Sequence, residues 1–256
     1  MVTTSSRISP LLRSLATSSL LVAGALASAS AQAAITFDFT YSASATDAFN
    51  DATYGSARRT ALETAGTLYS NMFASHFSDT GTVTIAVTGT NNSSGALASA
   101  GSYYYSDGST GFKLEDAVRN QLQGTGSYSA PQGLLTYHFG YNWELDPNAT
   151  PSNSEFDFYA VAFHELTHAV GFTSTLKSNG LGLFNDNRWG TFAQFVTDQA
   201  GTKVIDPNTF TLNTAVWNAA SVGGTGTGLF FDGANAVAAN GGNLVPLYSP
   251  TTWESG

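Results

Sequence analysis

His164-Glu165-Leu166-Thr167-His168-Ala169-Val170-Gly171-Phe172 is the stretch on which the reading of this chain turns. Residues four apart on a helix leave one face a turn apart, with roughly 5–6 Å between Cβ atoms, so His164 and His168 can close on one ion. That spacing suits zinc, which takes neutral imidazole nitrogens and, in catalytic sites, three protein ligands with the fourth position left to water. Glu165 is offset by roughly 100° around the helix, outside the ligand set but within reach of a water on the metal. It is the candidate general base, taking the proton as that water attacks a carbonyl and passing it to the leaving amine.

The run Tyr159-Ala160-Val161-Ala162-Phe163 is apolar nearly all round, which predicts that this helix is buried. Two histidines and a carboxylate in such a helix need partners, since burying them unpaired is costly. Ser154 with Asp157 three residues on reads as a capping box after Pro151. Gly171 stands where a left-handed residue would stop the helix just past the second histidine.

The pattern His164-Glu165-x-x-His168-x-x-Gly171 resembles the start of the metzincin signature, in which a third histidine follows three residues after the glycine; here that position is Ser174. With Phe172 and no immediate third histidine, the chain is more similar to leishmanolysin and related exported bacterial metalloproteases. In those relatives a long insertion separates the glycine from the third ligand, which follows a Gly-Ser-Ser stretch and precedes a methionine turn. The likeness covers Phe156 to Phe172 well, Phe230 to Gly256 loosely and the N-terminal half hardly at all. It implies a zincin-like α+β fold: an N-terminal lobe with a mixed twisted sheet and two helices, the second bearing the motif, and a loop-rich C-terminal lobe. It also implies that the third zinc ligand lies beyond Gly256, because no histidine follows His168 and the only methionines are Met1 and Met72. In-chain substitutes would be Asp186, Asp198, Asp206, Asp232 and Glu254, none at a convincing spacing.

At the other end, Arg7 and Arg13 precede an apolar run from Leu15 to Leu26 and small residues ending Ala31-Gln32-Ala33, the pattern of a secretory signal peptide over residues 1–33. Residues 34–256 are then the catalytic domain, with lobes of about 34–171 and 172–256. Seven cations remain against eighteen carboxylates, a net charge of −11 once the leader is set aside. That charge disfavours nucleic acid and anionic membrane as partners. Nothing after the leader approaches the roughly 20 apolar residues of a membrane span. The chain has no cysteine, which removes disulfides and thiolate metal sites.

Ile35, Phe37 and Phe39 alternate as one strand, and Thr82–Thr88 alternates Val83, Ile85 and Val87 against small residues as another. Between them, Gly55–Phe73 places Ala61, Leu62, Ala65, Leu68, Tyr69, Met72 and Phe73 at helical spacing. Gly89–Gly111 reads as a loop and Leu114–Leu122 as a short helix. Leu135, Tyr137, Phe139, Tyr141 and Trp143 define one face of a strong strand, and His138 on its polar face is a candidate cleft residue. Because that strand immediately precedes the motif, it is expected to be the sheet edge on which an extended peptide substrate adds as a further strand. Downstream, Thr191–Gln199 reads as helical, Lys203–Ile205 as a short strand, and Leu229–Pro250 as strands joined by tight turns. Asn185-Asp186-Asn187 offers oxygens for a structural calcium, without the loop length or terminal glutamate of an EF-hand.

Two classes of function follow. The first is a secreted, monomeric zinc endopeptidase that hydrolyses peptide bonds with Glu165 as base and His164 and His168 as ligands. The second is an exported surface or matrix binding protein that keeps the scaffold without turnover.

Overall fold

The computed structural model describes residues 35–76, 80–93, 95–106, 108–122, 131–177, 179–220 and 228–249. The expected leader and Glu254 lie outside them. The first part of the chain runs β1 (Ile35–Tyr41), α1 (Gly55–Phe73), β2 (Gly81–Thr90), β3 (Ala98–Ser102), β4 (Tyr104–Tyr105), β5 (Gly111–Asp116), α2 (Ala117–Leu122) and β6 (Gly133–His138). It continues through β7 (Trp143–Glu144), β8 (Phe156–Asp157) and α3 (Phe158–Ala169). Then come β9 (Arg188–Gly190), β10 (Val196–Thr197), α4 (Thr214–Ala220), β11 (Phe230–Phe231), α5 (Ala234–Ala239) and β12 (Val245–Pro246). The fold is α+β, and no helix among the described residues is long and apolar enough to cross a membrane.

A four-stranded mixed sheet in the order β1-β2-β6-β3 carries the architecture. The first two neighbouring pairs are parallel and the last is antiparallel, with Ala98 opposite Tyr137. Alternation decides its faces. Val83, Ile85, Val87, Leu135 and Tyr137 are buried under the helices, while the other face presents Thr36, Thr82, Thr88 and Thr136, whose hydroxyls pair across strands. Helix α1 packs on β1, α3 packs on β3 and β6, and the two helices pack on each other. Gly66 makes the first of these contacts close, because a Cβ there would stand 2.9 Å from the Phe39 ring.

Helix α1 has the bounds the periodicity predicts, but Leu68 and Met72 face solvent and the buried stripe is Ala61, Leu62, Ala65 and Tyr69. Six readings of the sequence need correction. The segment 89–111 is not all loop: Ala98–Ser102 is the sheet's antiparallel edge, and the strand containing Tyr137 is internal. Small residues suffice there because β6 supplies the hydrogen-bonding partner. That strand also stops at His138, where the chain turns before β7. The helix expected from Leu114 begins at Ala117, after β5. Finally, the helical reading of Thr191–Gln199 gives only a 3-10 turn over Thr191–Phe195 before β10, and Leu229–Pro250 contains a helix, α5.

The buried apolar residues form two clusters. One joins the sheet to α1, α2 and α3; its aromatic centre is Tyr137, stacked on Phe158 at 4.7 Å with Trp143 and Phe139 around it. The other gathers Trp189, Val196, Val204, Ile205, Trp217 and Leu229. The ring of Phe172, directly after α3, packs on Phe192 at 5.3 Å and on Phe231 at 6.5 Å, so the end of the motif helix is braced by side chains packed on that second cluster or near it.

Candidate metal centre

Both ends of α3 are fixed by local chemistry. Asp157, not Ser154, is its N-cap: the Asp157 carboxylate accepts from the N–H groups of Tyr159 at 2.9 Å and Ala160 at 3.0 Å. Pairing of Phe156 and Asp157 with Trp143 and Glu144 keeps the preceding residues extended, so the capping role falls one turn later than the Ser154 pattern suggests. At the C-terminus, Gly171 N–H donates to His168 carbonyl at 3.0 Å and Phe172 N–H to Thr167 carbonyl at 3.1 Å. These are the two bonds of a Schellman turn, and Gly171 has the positive φ, +101°, that such a turn requires.

This turn reaches the motif itself. It carries the Phe172 carbonyl back over the helix end, where it accepts a hydrogen bond from His168 Nδ1–H at 2.8 Å. With the proton held on Nδ1, the lone pair of neutral His168 lies on Nε2. That Nε2 stands 3.0 Å from Nε2 of His164, and the two rings are perpendicular at 89°. Two ligand nitrogens each 2.0–2.1 Å from a tetrahedral zinc would be about 3.3 Å apart. The pair therefore converges at close to ligand separation without rearrangement of the helix. Burial, followed by the charge of His168, lowers the pKa of His164 and favours the neutral imidazole that a metal needs.

Glu165 lies on the inner side of α3, only 5 % exposed. Burial raises its pKa; the charge of His168 and a hydrogen bond from the Ala100 backbone oppose that rise. The alternation of an edge strand explains the second contact. His138 N–H donates to Leu97 carbonyl across the β3/β6 ladder, so the backbone groups of Ala98 and Ala100 face the open edge, where Glu165 sits. A cavity of about 430 Å³ lies along this edge, lined by Leu97, Ala98, Ala160, Val161, His164 and Glu165. The three candidate residues of the motif, His164, Glu165 and His168, thus lie together at one end of α3.

Comparison of the chain with protein-family models, curated proteins and solved structures found no match. The assignment of the site rests on its geometry.

No group of three or more metal-ligating side chains occurs among the described residues. The candidate substitutes are engaged elsewhere. Asp186 pairs with Arg188 at 2.6 Å and Asp232 with Lys203 at 2.5 Å. Asp198 and Asp206 accept backbone N–H bonds within their own turns. At Ser174, the hydroxyl accepts from Leu176 N–H. His138 is not a cleft residue either: it lies on the threonine face of the sheet, its Nδ1 within hydrogen-bond distance of Thr90 Oγ1 and Asn92 Oδ1. In the calcium candidate, Asn185 Oδ1 accepts from the Lys177 ammonium and Asp186 pairs with Arg188.

Three contributors were missed from sequence. The Phe172 carbonyl could have been anticipated, since a Schellman turn at Gly171 folds the following residue back over the last turn. The edge strand Ala98–Ser102 has no β-branched residue to announce it. A second cavity, of about 180 Å³, begins at Phe172 and is closed by Leu176, Phe192, Trp217, Leu229 and Tyr248, side chains that no single periodic segment unites.

Proposed function

We propose that this protein is an exported zinc endopeptidase of the zincin type. The observation that carries the reading is the pair of imidazole Nε2 atoms 3.0 Å apart, with His168 held in the ligating tautomer by the Phe172 carbonyl. The donor set fits zinc: two imidazoles, no thiolate anywhere in the chain, and a backbone carbonyl orienting one ring. His164 and His168 would hold the ion. A third ligand is not among the described residues. When bound, zinc supplies Lewis acidity, polarising a carbonyl and bringing the pKa of a bound water to about 7.

The chain's own residues supply the rest. Glu165, buried beside the histidines with a pKa raised by desolvation, accepts a proton on its carboxylate and delivers it to the leaving amine; matching the carboxyl group toward the working pH is what makes such a transfer efficient. The open edge of β3 receives an extended peptide, with Ala98 and Ala100 offering backbone hydrogen bonds and small side chains that leave room for the substrate. The apolar cavity next to Phe172 favours substrates with an apolar residue near the cleaved bond.

A second reading, a binding protein without turnover, is favoured by one observation, the two-histidine ligand set among the described residues. One experiment separates the two. The protein, supplied with zinc, is incubated with an unfolded protein substrate, and fragments are identified by mass spectrometry. Cleavage that a chelator abolishes is expected; no cleavage in zinc, or cleavage indifferent to the chelator, would overturn the zinc-peptidase reading.

A further inference from the structure

Tyr137 sits at the middle of the first hydrophobic cluster, fully buried, and its hydroxyl has no hydrogen-bond partner. Four rings fix its own: Phe158 at 4.7 Å, Trp143 at 5.5 Å, Phe139 at 5.7 Å and Phe49 at 6.3 Å. An unpaired buried hydroxyl is a penalty that phenylalanine would avoid at the same place with the same packing.

The surroundings indicate what it waits for. Phe158, on which the ring stacks, and Glu165 are seven residues apart and so lie on one face of α3. Helical side chains lean toward the N-terminus, which brings the Glu165 carboxylate back toward Phe158 and the phenol beneath it. Ala98, directly opposite Tyr137 across the ladder, lines the same cavity as Glu165. The Glu165 carboxylate is also the charge that acts on the phenol, adding to the effect of burial in raising its pKa.

We propose that Tyr137 is a positioning residue for Glu165: its hydroxyl donates a hydrogen bond to the Glu165 carboxylate when that group leaves the Ala100 N–H to work in the cleft. The phenol then fixes the direction of the carboxylate at the moment of proton transfer and touches neither substrate nor metal. This inference rests on the peptidase reading for its kinetic consequence, though not for the contact itself.

The test uses Tyr137→Phe in the full chain, alone and combined with Glu165→Gln. Without metal, where the hydroxyl has no partner, the single variant should melt at the same or a higher temperature than the parent. In the zinc-loaded protein, where Glu165 turns to the cleft, its kcat for peptide hydrolysis should fall about tenfold with KM unchanged, because the phenol orients the carboxylate and touches no substrate. An unchanged kcat, or a change confined to KM, would overturn the proposal. A double-mutant cycle on the zinc-loaded protein, read by thermal unfolding, addresses the contact without activity: the shifts of the two single variants should fail to add, and additivity would refute the pair. If the parent hydrolyses nothing, the peptidase reading fails and the cycle alone decides the contact. Should the phenylalanine variant not fold, 13C NMR of tyrosine Cζ answers in its place. In the zinc-loaded protein, Glu165→Gln should displace a buried tyrosine resonance, and an unmoved set of resonances would contradict the bond.

Discussion

Two polar groups border the same hydrophobic cluster, the buried Asp47–Arg58 corner at the start of α1 and the His164–Glu165–His168 cleft on α3, where Glu165 is buried and His164 exposed, and their partners come from different places. Asp47 accepts from Phe49 N–H at 2.9 Å and Gly89 N–H at 3.0 Å. Arg58 donates to Ala48 carbonyl at 2.6 Å and lies over the Phe139 ring at 4.2 Å. The fold itself meets that corner's needs. In the cleft, two imidazole nitrogens face each other, a carboxylate is held by one backbone bond on an open edge, and a phenol beneath it has no partner. Buried polar groups that serve the fold find partners within it. The cleft's polar groups find few partners within it.

Removing the cleft's carboxylate gives the largest effect. Glu165→Gln should lower peptide hydrolysis by at least about 10²-fold, the scale for loss of a general base. It should leave zinc binding intact and, near neutral pH, leave the melting temperature unchanged or raised. The sign follows from the shift: a carboxyl whose folded pKa lies above its ordinary value favours folding while protonated. That contribution is lost as pH rises from about 4.5 through the raised value. The parent, stripped of metal, should therefore lose stability relative to the glutamine variant across that window, as thermal scans at several pH values would show.

Asp47→Ala should do the reverse. Two nearly enclosed backbone N–H groups lose their acceptor, so stability should fall by roughly 2 kcal/mol or more while zinc affinity stays unchanged. Equal stability after this substitution would break the contrast between the two polar groups. A smaller effect is expected where fold and site meet. Gly171→Ala forces a side chain into a left-handed conformation, costing about 1–2 kcal/mol, and displaces the Phe172 carbonyl from His168. Zinc affinity should weaken by about 10-fold, the lower range for loss of a group that orients a ligand.

The same contrast explains how much of the molecule was legible in its sequence. Val83, Ile85, Val87 and the stripe from Ala61 to Tyr69 announce themselves because periodic burial writes a periodic pattern. The histidine pair is legible because its spacing equals the helical turn. Ala98–Ser102 is hidden because its residues are all small, a composition shared with loops, and only its pairing with β6 makes it a strand. Tyr137 reads as one residue of an apolar strand face, and only its unpaired hydroxyl distinguishes it from its buried neighbours. In the second cluster Trp189, Trp217 and Leu229 come from irregular stretches, so their meeting depends on contacts with no local period.

The central claim is that His164 and His168 together hold zinc, and a competitive zinc titration at one fixed pH tests it most directly. The parent and Glu165→Gln should bind one zinc with the same affinity, and His164→Ala and His168→Ala should each bind at least about 10²-fold more weakly, since losing a ligand costs more than losing a group that orients one. Parent-like affinity in both histidine variants would contradict the account.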